Sequence, residues 1–310
     1  MLNTNAASVP PKNAVATYHL PGLFEFTDLY RAFLPLYREH RDWFYDWCAI
    51  GSIYGAPTDC IWGGGRVECG ERDPREVLAL LSEFGISARL TLSNSLLRPE
   101  HLADARCNAL CRLFARSDGP RNGVIVHSEL LTAYLRQTYP ELYLVSSTTK
   151  VLTSLTDLRR ELERPEFACV VPDFRLNPTL GTPGALPERL RGRAELLCNE
   201  CCRFDCPDRR ACYEAVSRKN LGEAAPEHRC TALDAAGGYR FSKAMKNPGF
   251  LGVEAIRDRY LPLGFSQFKL EGRGLGSALI LEFLLFYLTK PDYHIHVREA
   301  RYLDNMLDLF

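Results

Sequence analysis

Five of the chain's twelve cysteines fall in one segment, LLCNECCRFDCPDRRACY (196–213). Thiols at this density can pair as disulfides, hold a zinc ion through four thiolate or imidazole ligands, or ligate an iron–sulfur cluster. Cys198 with Cys201, or Cys202 with Cys206, is spaced as one ligand pair, and Cys212, His228 and Cys230 are the donors available for a second. The spacing does not choose between zinc and iron, and thiols that are simply packed or exposed fit it too. Cys107 and Cys111 would share a helical face and, like Cys169 in FACVVPDF, read as core packing rather than as ligands.

A second group lies in GFSQFKLEGR (264–273), where Lys269, Glu271 and Arg273 alternate and would share one face of a strand. Charges on a buried face must pair or bind something polar. They form either an ion-pair network or a site in which Arg273 clamps a carboxylate or phosphate, with Glu271 or Lys269 as the catalytic group. Arg66, after three glycines, is another anion-binding candidate, set against an ordinary surface loop. His127, in VIVHSE, titrates near neutrality and is a candidate general acid or base, or a strand-end cap. The paired imidazoles of HIH (294–296) have no third ligand nearby and read as structural or surface groups.

Positioning such groups is the task of the elements around them. Apolar runs predict strands at 47–55, 86–94, 122–129, 142–149, 167–174, 194–200, 265–272 and, as the eighth, YHIHV at 293–297. Between them, 73–85, 98–117, 128–140 and 153–165 carry apolar residues at helical spacing, the first opening with an Asp-Pro cap and ending at Gly85. Eight continuous apolar strands alternating with helices predict a parallel α/β fold, a (β/α)8 TIM-type barrel, distorted by a cysteine-rich insert after a late strand, at 198–248. An open doubly wound sheet is the alternative, but no glycine-rich dinucleotide fingerprint follows the first strand. Residues 16–310 form one domain behind a disordered lead at 1–15. In a barrel, catalytic groups sit at the carboxyl ends of strands. Tyr54, Asn94, His127, Asp173, Asn199 and Glu200 fall there, with the serine pair 146–147 and the Lys269 group.

Lysine plus arginine equals aspartate plus glutamate, so the formal net charge is zero. That excludes the strongly basic profile of general nucleic-acid or anionic-membrane binders. The amino terminus is not a signal peptide, and LGSALILEFLLFYL (275–288) is interrupted by Glu282 and too short to span a bilayer. A cytoplasmic, reducing location is expected, which disfavours disulfides. The zinc-protease helix and the serine-hydrolase elbow are both missing from the sequence.

Three stretches together resemble the collagenase-like peptidase superfamily, which includes oxygen-independent ubiquinone-biosynthesis hydroxylases and RNA-hydroxylation proteins. YGAPTDCIWGGGR (54–66) resembles its early tyrosine-glycine and glycine-arginine segment, NECCRFDCPDR (199–209) a cysteine motif of one branch, and GFSQFKLEGR its most diagnostic stretch. The resemblance implies a barrel and a [4Fe-4S] cluster on Cys202, Cys206, Cys212 and Cys230, with zinc as the alternative. It further implies a redox enzyme, an oxygen-independent hydroxylase, acting on a small-molecule, peptide or RNA-borne substrate, with an electron donor or a related subunit as partner. Tyr54, Arg66, Asn94, Asp173, Asn199, Glu200 and Arg273 would bind substrate, and His127, Lys269 and Glu271 would carry the chemistry. A metal-stabilised accessory scaffold and a peptidase are the other readings.

Overall fold

The structure, a computed structural model, describes residues 15–58, 60–64, 72–116, 118–224, 228–232 and 235–303. Eight parallel strands make the sheet: β1 (Ala16–Pro21), β2 (Cys48–Gly55), β3 (Ser87–Leu92), β4 (Gly123–Val126), β5 (Tyr143–Ser146), β6 (Phe167–Val170), β7 (Glu195–Leu197) and β8 (Gln267–Lys269). Their order is β6-β5-β4-β3-β2-β1-β8-β7. A parallel bridge between Val170 and Ala194 brings β6 back to β7 and closes the circle. The fold is therefore the expected (β/α)8 barrel.

The eighth strand is not the expected one. Residues 293–297 lie in a helical stretch: Pro291 opens a tight turn and His294–Arg298 is helix. The missing strand is instead β1, which sits between β2 and β8 and closes the barrel. Its run, ATYHLP, is broken by the polar His19 and so does not stand out beside the amino-terminal lead.

Helices α1 (Thr27–Glu39), α2 (Pro74–Glu83), α3 (Ala105–Ala115), α4 (Glu129–Thr138) and α5 (Leu155–Leu162) follow the first five strands in order. Local chemistry sets their starts. Asp73 accepts from the Arg75 N–H, Ser128 from Leu131 and Ser154 from Asp157, filling donors that a helix start leaves open. The expected continuous helix over 98–117 is split, because Asp104 ends a short 3-10 turn and caps α3 through the Cys107 N–H. Between β6 and β7 only short helical turns occur, the insert between β7 and β8 carries its own helix, Arg209–Asn220, and a helix over Ser277–Leu288 follows β8.

Alternation along the strands separates two buried layers. Leu20, Ile53, Leu90, Val126, Leu144, Val170 and Phe268 face out and join the helices in the main core. Tyr54, Ile125, Val145, Cys169 and Val171 face the barrel axis as a second, smaller cluster. Among the described residues no helix is long and apolar enough to cross a membrane.

Candidate active site at the mouth of the barrel

Below the apolar cluster the barrel interior is ionic. Glu195 on β7, fully buried, takes a 2.6 Å hydrogen bond from Arg89 on β3. His19 on β1 lies 3.5 Å from the same carboxylate, while its ring nitrogens bond Ser52 (2.8 Å) and Gln267 (2.9 Å). Tyr143 accepts from Arg89 at 2.8 Å. Burial alone would raise the Glu195 carboxyl, but Arg89, His19 and Lys269 outweigh it and hold it at about 2. Burial, reinforced by the Arg89 charge, drives His19 down to about 3, so its ring is neutral at ordinary pH.

Lys269, the last residue of β8, rises from this layer toward the carboxyl end. Its Nζ lies 3.6 Å from Glu195 and 3.2 Å above the centre of the Tyr54 ring, whose hydroxyl donates to the Leu270 carbonyl at 2.6 Å. Burial lowers the Lys269 ammonium to about 7; Glu195 opposes the shift, and Arg89 and Arg273 add to it. An amine so placed is about half neutral at pH 7.

Above Lys269 opens a cavity of about 660 Å³. Its walls come from strand ends: Tyr54 from β2, Thr91 from β3 and Ser93 just after it, and Ser147–Thr149 after β5. The segment after β8 brings Glu271 and Arg273, and Tyr213 and Lys219 on the insert helix face them. Lys269, Glu271 and Arg273 thus border one cavity, although strand pairing ends at Lys269 and the alternation expected through residue 273 does not continue. Gly272 makes the turn possible. Its φ of 156° is one that residues with side chains rarely adopt, and a Cβ there would lie 2.4 Å from Ile280 Cδ1, which would have to shift. Arg273 is held through Nε by the Glu25 carboxylate at 3.3 Å, and burial raises the Glu25 pKa against the pull of that arginine.

Other expected site residues lie elsewhere. His127 does not border the cavity; it bonds Thr149, which does, at 2.8 Å, and burial, with the charges of Lys150 and Arg210, lowers it to about 4. Asn94 is fully buried and spends its amide on the Ile61 and Ser217 carbonyls and the Leu96 N–H. Arg66 lies outside the described residues. Gly64, two residues before it, serves packing: a Cβ there would lie 2.4 Å from the Ser93 backbone.

Asp173, Asn199 and Glu200 fasten the insert. Arg209, 3 % exposed, donates to Glu200 at 2.9 Å and lies 3.2 Å from Asp173, which also takes Arg175 at 2.6 Å. Glu200 accepts the Cys202 N–H, and Arg175 donates to the Cys206 carbonyl. Asn199 accepts from the Glu271 N–H at 2.7 Å and donates to the Glu271 carbonyl, tying the insert to the cavity wall.

The thiols of this segment are spread over different environments. Cys198 and Cys201 are buried, Cys202, Cys206 and Cys212 half-buried, and Cys230 exposed. Among the described residues no group of three or more His, Cys, Asp or Glu side chains is placed to hold a metal ion.

Several residues of the site were not anticipated: His19, Glu25, Arg89, Thr91, Ser93, Thr148 and Glu195. Arg89 and Glu195 carried a usable signal. Each is a lone charge inside an otherwise apolar strand, and such charges must meet a partner across the barrel. The three hydroxyl residues carried none, since serine and threonine at strand ends are common caps.

No protein-family profile matches the sequence, and no curated protein matches it. Among solved structures, the U32 peptidase Mk0906 superposes with a TM-score of 0.51 and 14% identity, over 88% of this chain and 96% of that one. The chain therefore has the fold of a U32, collagenase-like, peptidase, and at that identity the likeness is one of fold.

Proposed function

We propose that this protein is an enzyme that binds a small anionic substrate in the mouth of its barrel and transfers a proton to or from it through Lys269. One observation carries the reading. Five buried polar atoms on the wall of the same cavity have no hydrogen-bond partner among the described residues: Lys269 Nζ, Arg273 Nη2, Thr91 Oγ1, Ser93 Oγ and Thr148 Oγ1. Each such orphan costs about 1–3 kcal/mol, so their convergence marks a place where a ligand supplies the missing partners. All five can donate, and two are cationic groups. The complement is a ligand rich in acceptor oxygens, a carboxylate or phosphate ester, seated on Arg273.

Lys269 would then face the reacting atom. Near neutrality its amine can take a proton from an acidic C–H or O–H, and the resulting ammonium is stabilised by Glu195 and the Tyr54 face. Oxygen-independent hydroxylation would call for an electron carrier as well, for which Cys202, Cys206, Cys212 and Cys230 are the thiols the sequence offers. Peptide hydrolysis finds little support: Ser52, His19 and Glu195 have the residue types of a hydrolase triad, but all three are sealed beneath the cavity and none borders it.

Thermal-shift and calorimetric titration with a panel of small di- and tricarboxylates and phosphate esters tests the reading. At least one should stabilise the wild type, Arg273→Gln should weaken it ten-fold or more, by about 1.4 kcal/mol, and Lys269→Met should keep binding yet lose ligand proton exchange into D₂O. A panel in which nothing binds, or binding that Arg273→Gln leaves intact, removes the site.

A further inference from the structure

A second cavity, also of about 660 Å³, lies outside the barrel between the loop after β2 and α3. Two thiols are part of its lining. Cys60, on the loop, and Cys107, on α3, place their sulfurs 3.0 Å apart. Arg72, Arg75 and Arg106 border the same space. None of these residues takes part in the chemistry at the barrel mouth, and the inference below stands apart from that reading.

We infer that Cys60 and Cys107 form a redox-active dithiol that reacts with small anionic disulfides of the glutathione type. The geometry is close to that of the product, because a disulfide bond is about 2.05 Å long and the sulfurs need to approach by only about 1 Å. The two residues have different roles. The contact with Cys107, in which either sulfur can be the donor, holds the Cys60 thiol below its usual range against burial and so favours its thiolate. Cys107, beside that sulfur and buried, is pushed the other way and keeps its proton. Burial drives the thiols of Cys48, Cys169 and Cys198 up, as expected for cysteines that only pack. Cys111, one turn along α3, is likewise raised by burial.

The step balances as thiol–disulfide exchange. The Cys60 thiolate attacks one sulfur of the incoming disulfide, forming a mixed disulfide and expelling a thiolate. Cys107 passes its proton to that thiolate and attacks Cys60 Sγ, forming the internal disulfide and expelling the second sulfur as a thiolate, which takes its proton from water. From the Cys60 thiolate and the Cys107 thiol, the pair loses two electrons and one proton, and the small disulfide is reduced to one thiol and one thiolate. The lining sets three arginines against Asp73, and although Arg72 is paired with Asp28 the balance is cationic, which favours glutathione disulfide with its net negative charge. Thr58 borders both cavities, so the reaction takes place on the loop that also shapes the barrel mouth.

The test incubates the full chain with glutathione disulfide, blocks remaining thiols with N-ethylmaleimide after unfolding, and maps the peptides by mass spectrometry. A Cys60–Cys107 cross-link should be the first to form, with Cys48, Cys169 and Cys198 still alkylated. In Cys107→Ser, one glutathione should stay on Cys60. Arg75→Glu should slow the reaction with glutathione disulfide several-fold while leaving that with a neutral disulfide, hydroxyethyl disulfide, unchanged. Full alkylation of Cys60 and Cys107 in the folded-and-challenged wild type overturns the assignment, and so does a first cross-link at any other pair.

Discussion

Glu195→Gln tests whether the ionic layer inside the barrel sets the charge state above it. The carboxylate is fully buried and faces three cationic or potentially cationic groups: Arg89 at 2.6 Å, His19 at 3.5 Å and Lys269 at 3.6 Å. With an effective dielectric constant of about 20, the attraction is roughly 6 kcal/mol to Arg89 and about 5 kcal/mol to a charged Lys269 before desolvation is subtracted. Gross attraction is not the stability lost, because each buried ion has already given up hydration. Removing one partner of a buried pair typically costs about 3–5 kcal/mol. Glutamine keeps an oxygen that can accept from Arg89, so the lower end, about 3 kcal/mol, is expected, read as a fall in the urea midpoint at unchanged slope. The substitution also removes the group that opposes the downward shift of Lys269, so the Lys269 titration, followed by NMR, should move below about 7. Adding Arg89→Met should return part of the loss, since the stranded guanidinium is what burial penalises. A Glu195→Gln protein within about 1 kcal/mol of wild type, or a Lys269 titration that stays in place, would refute the argument.

Two further predictions concern the insert and acid stability. Arg209→Met leaves the Asp173 and Glu200 carboxylates facing each other without their shared cation, so it should cost about 3–5 kcal/mol and speed amide exchange through residues 199–213 while the β2–β5 core stays protected. On acidification, His19 with a native value of about 3 and His127 with about 4 both lie below the ordinary 6.5. The unfolded chain then binds more protons, so stability should fall as pH drops from about 6.5, continuing through the Glu195 window between 4.5 and about 2. Denaturation midpoints that stay flat between pH 7 and 4 would contradict this.

The barrel was legible because parallel strands buried on both faces read as continuous apolar runs, and seven of the eight were located that way. The eighth failed for a physical reason. In ATYHLP the inward His19 is a polar group whose partners, Ser52 and Gln267, lie on other strands, so the run looks broken in one dimension and continuous only in three. YHIHV alternates as a strand would, but Pro291 starts a helical turn just before it and tertiary context decides. At the site, Lys269, Glu271 and Arg273 were legible as a charged cluster, while the sealed roles of Asn94 and Asp173 were not. A polar residue at a strand end looks the same in sequence whether it faces a cavity or caps a backbone.

The position of the ions within the barrel bears on their purpose. Interiors of this fold are usually filled by layers of branched aliphatic side chains, and here β4, β5 and the end of β6 supply apolar filling through Ile125, Val145, Cys169 and Val171, the residue after β6. The charges come from β1, β3, β7 and β8, the side directly below Lys269. A wholly apolar interior would strand Lys269 as an unpaired buried amine and drive it further toward neutrality. An interior carboxylate without Arg89 would pair with Lys269 fully and hold it charged. With Arg89 taking most of the Glu195 charge, Lys269 receives a partial share and titrates near 7, where an amine can both accept and return a proton. The stability given up in burying four polar side chains is thus concentrated where it sets the protonation of the one group that reaches the cavity, the pattern expected when a fold is strained for function rather than packed for rigidity.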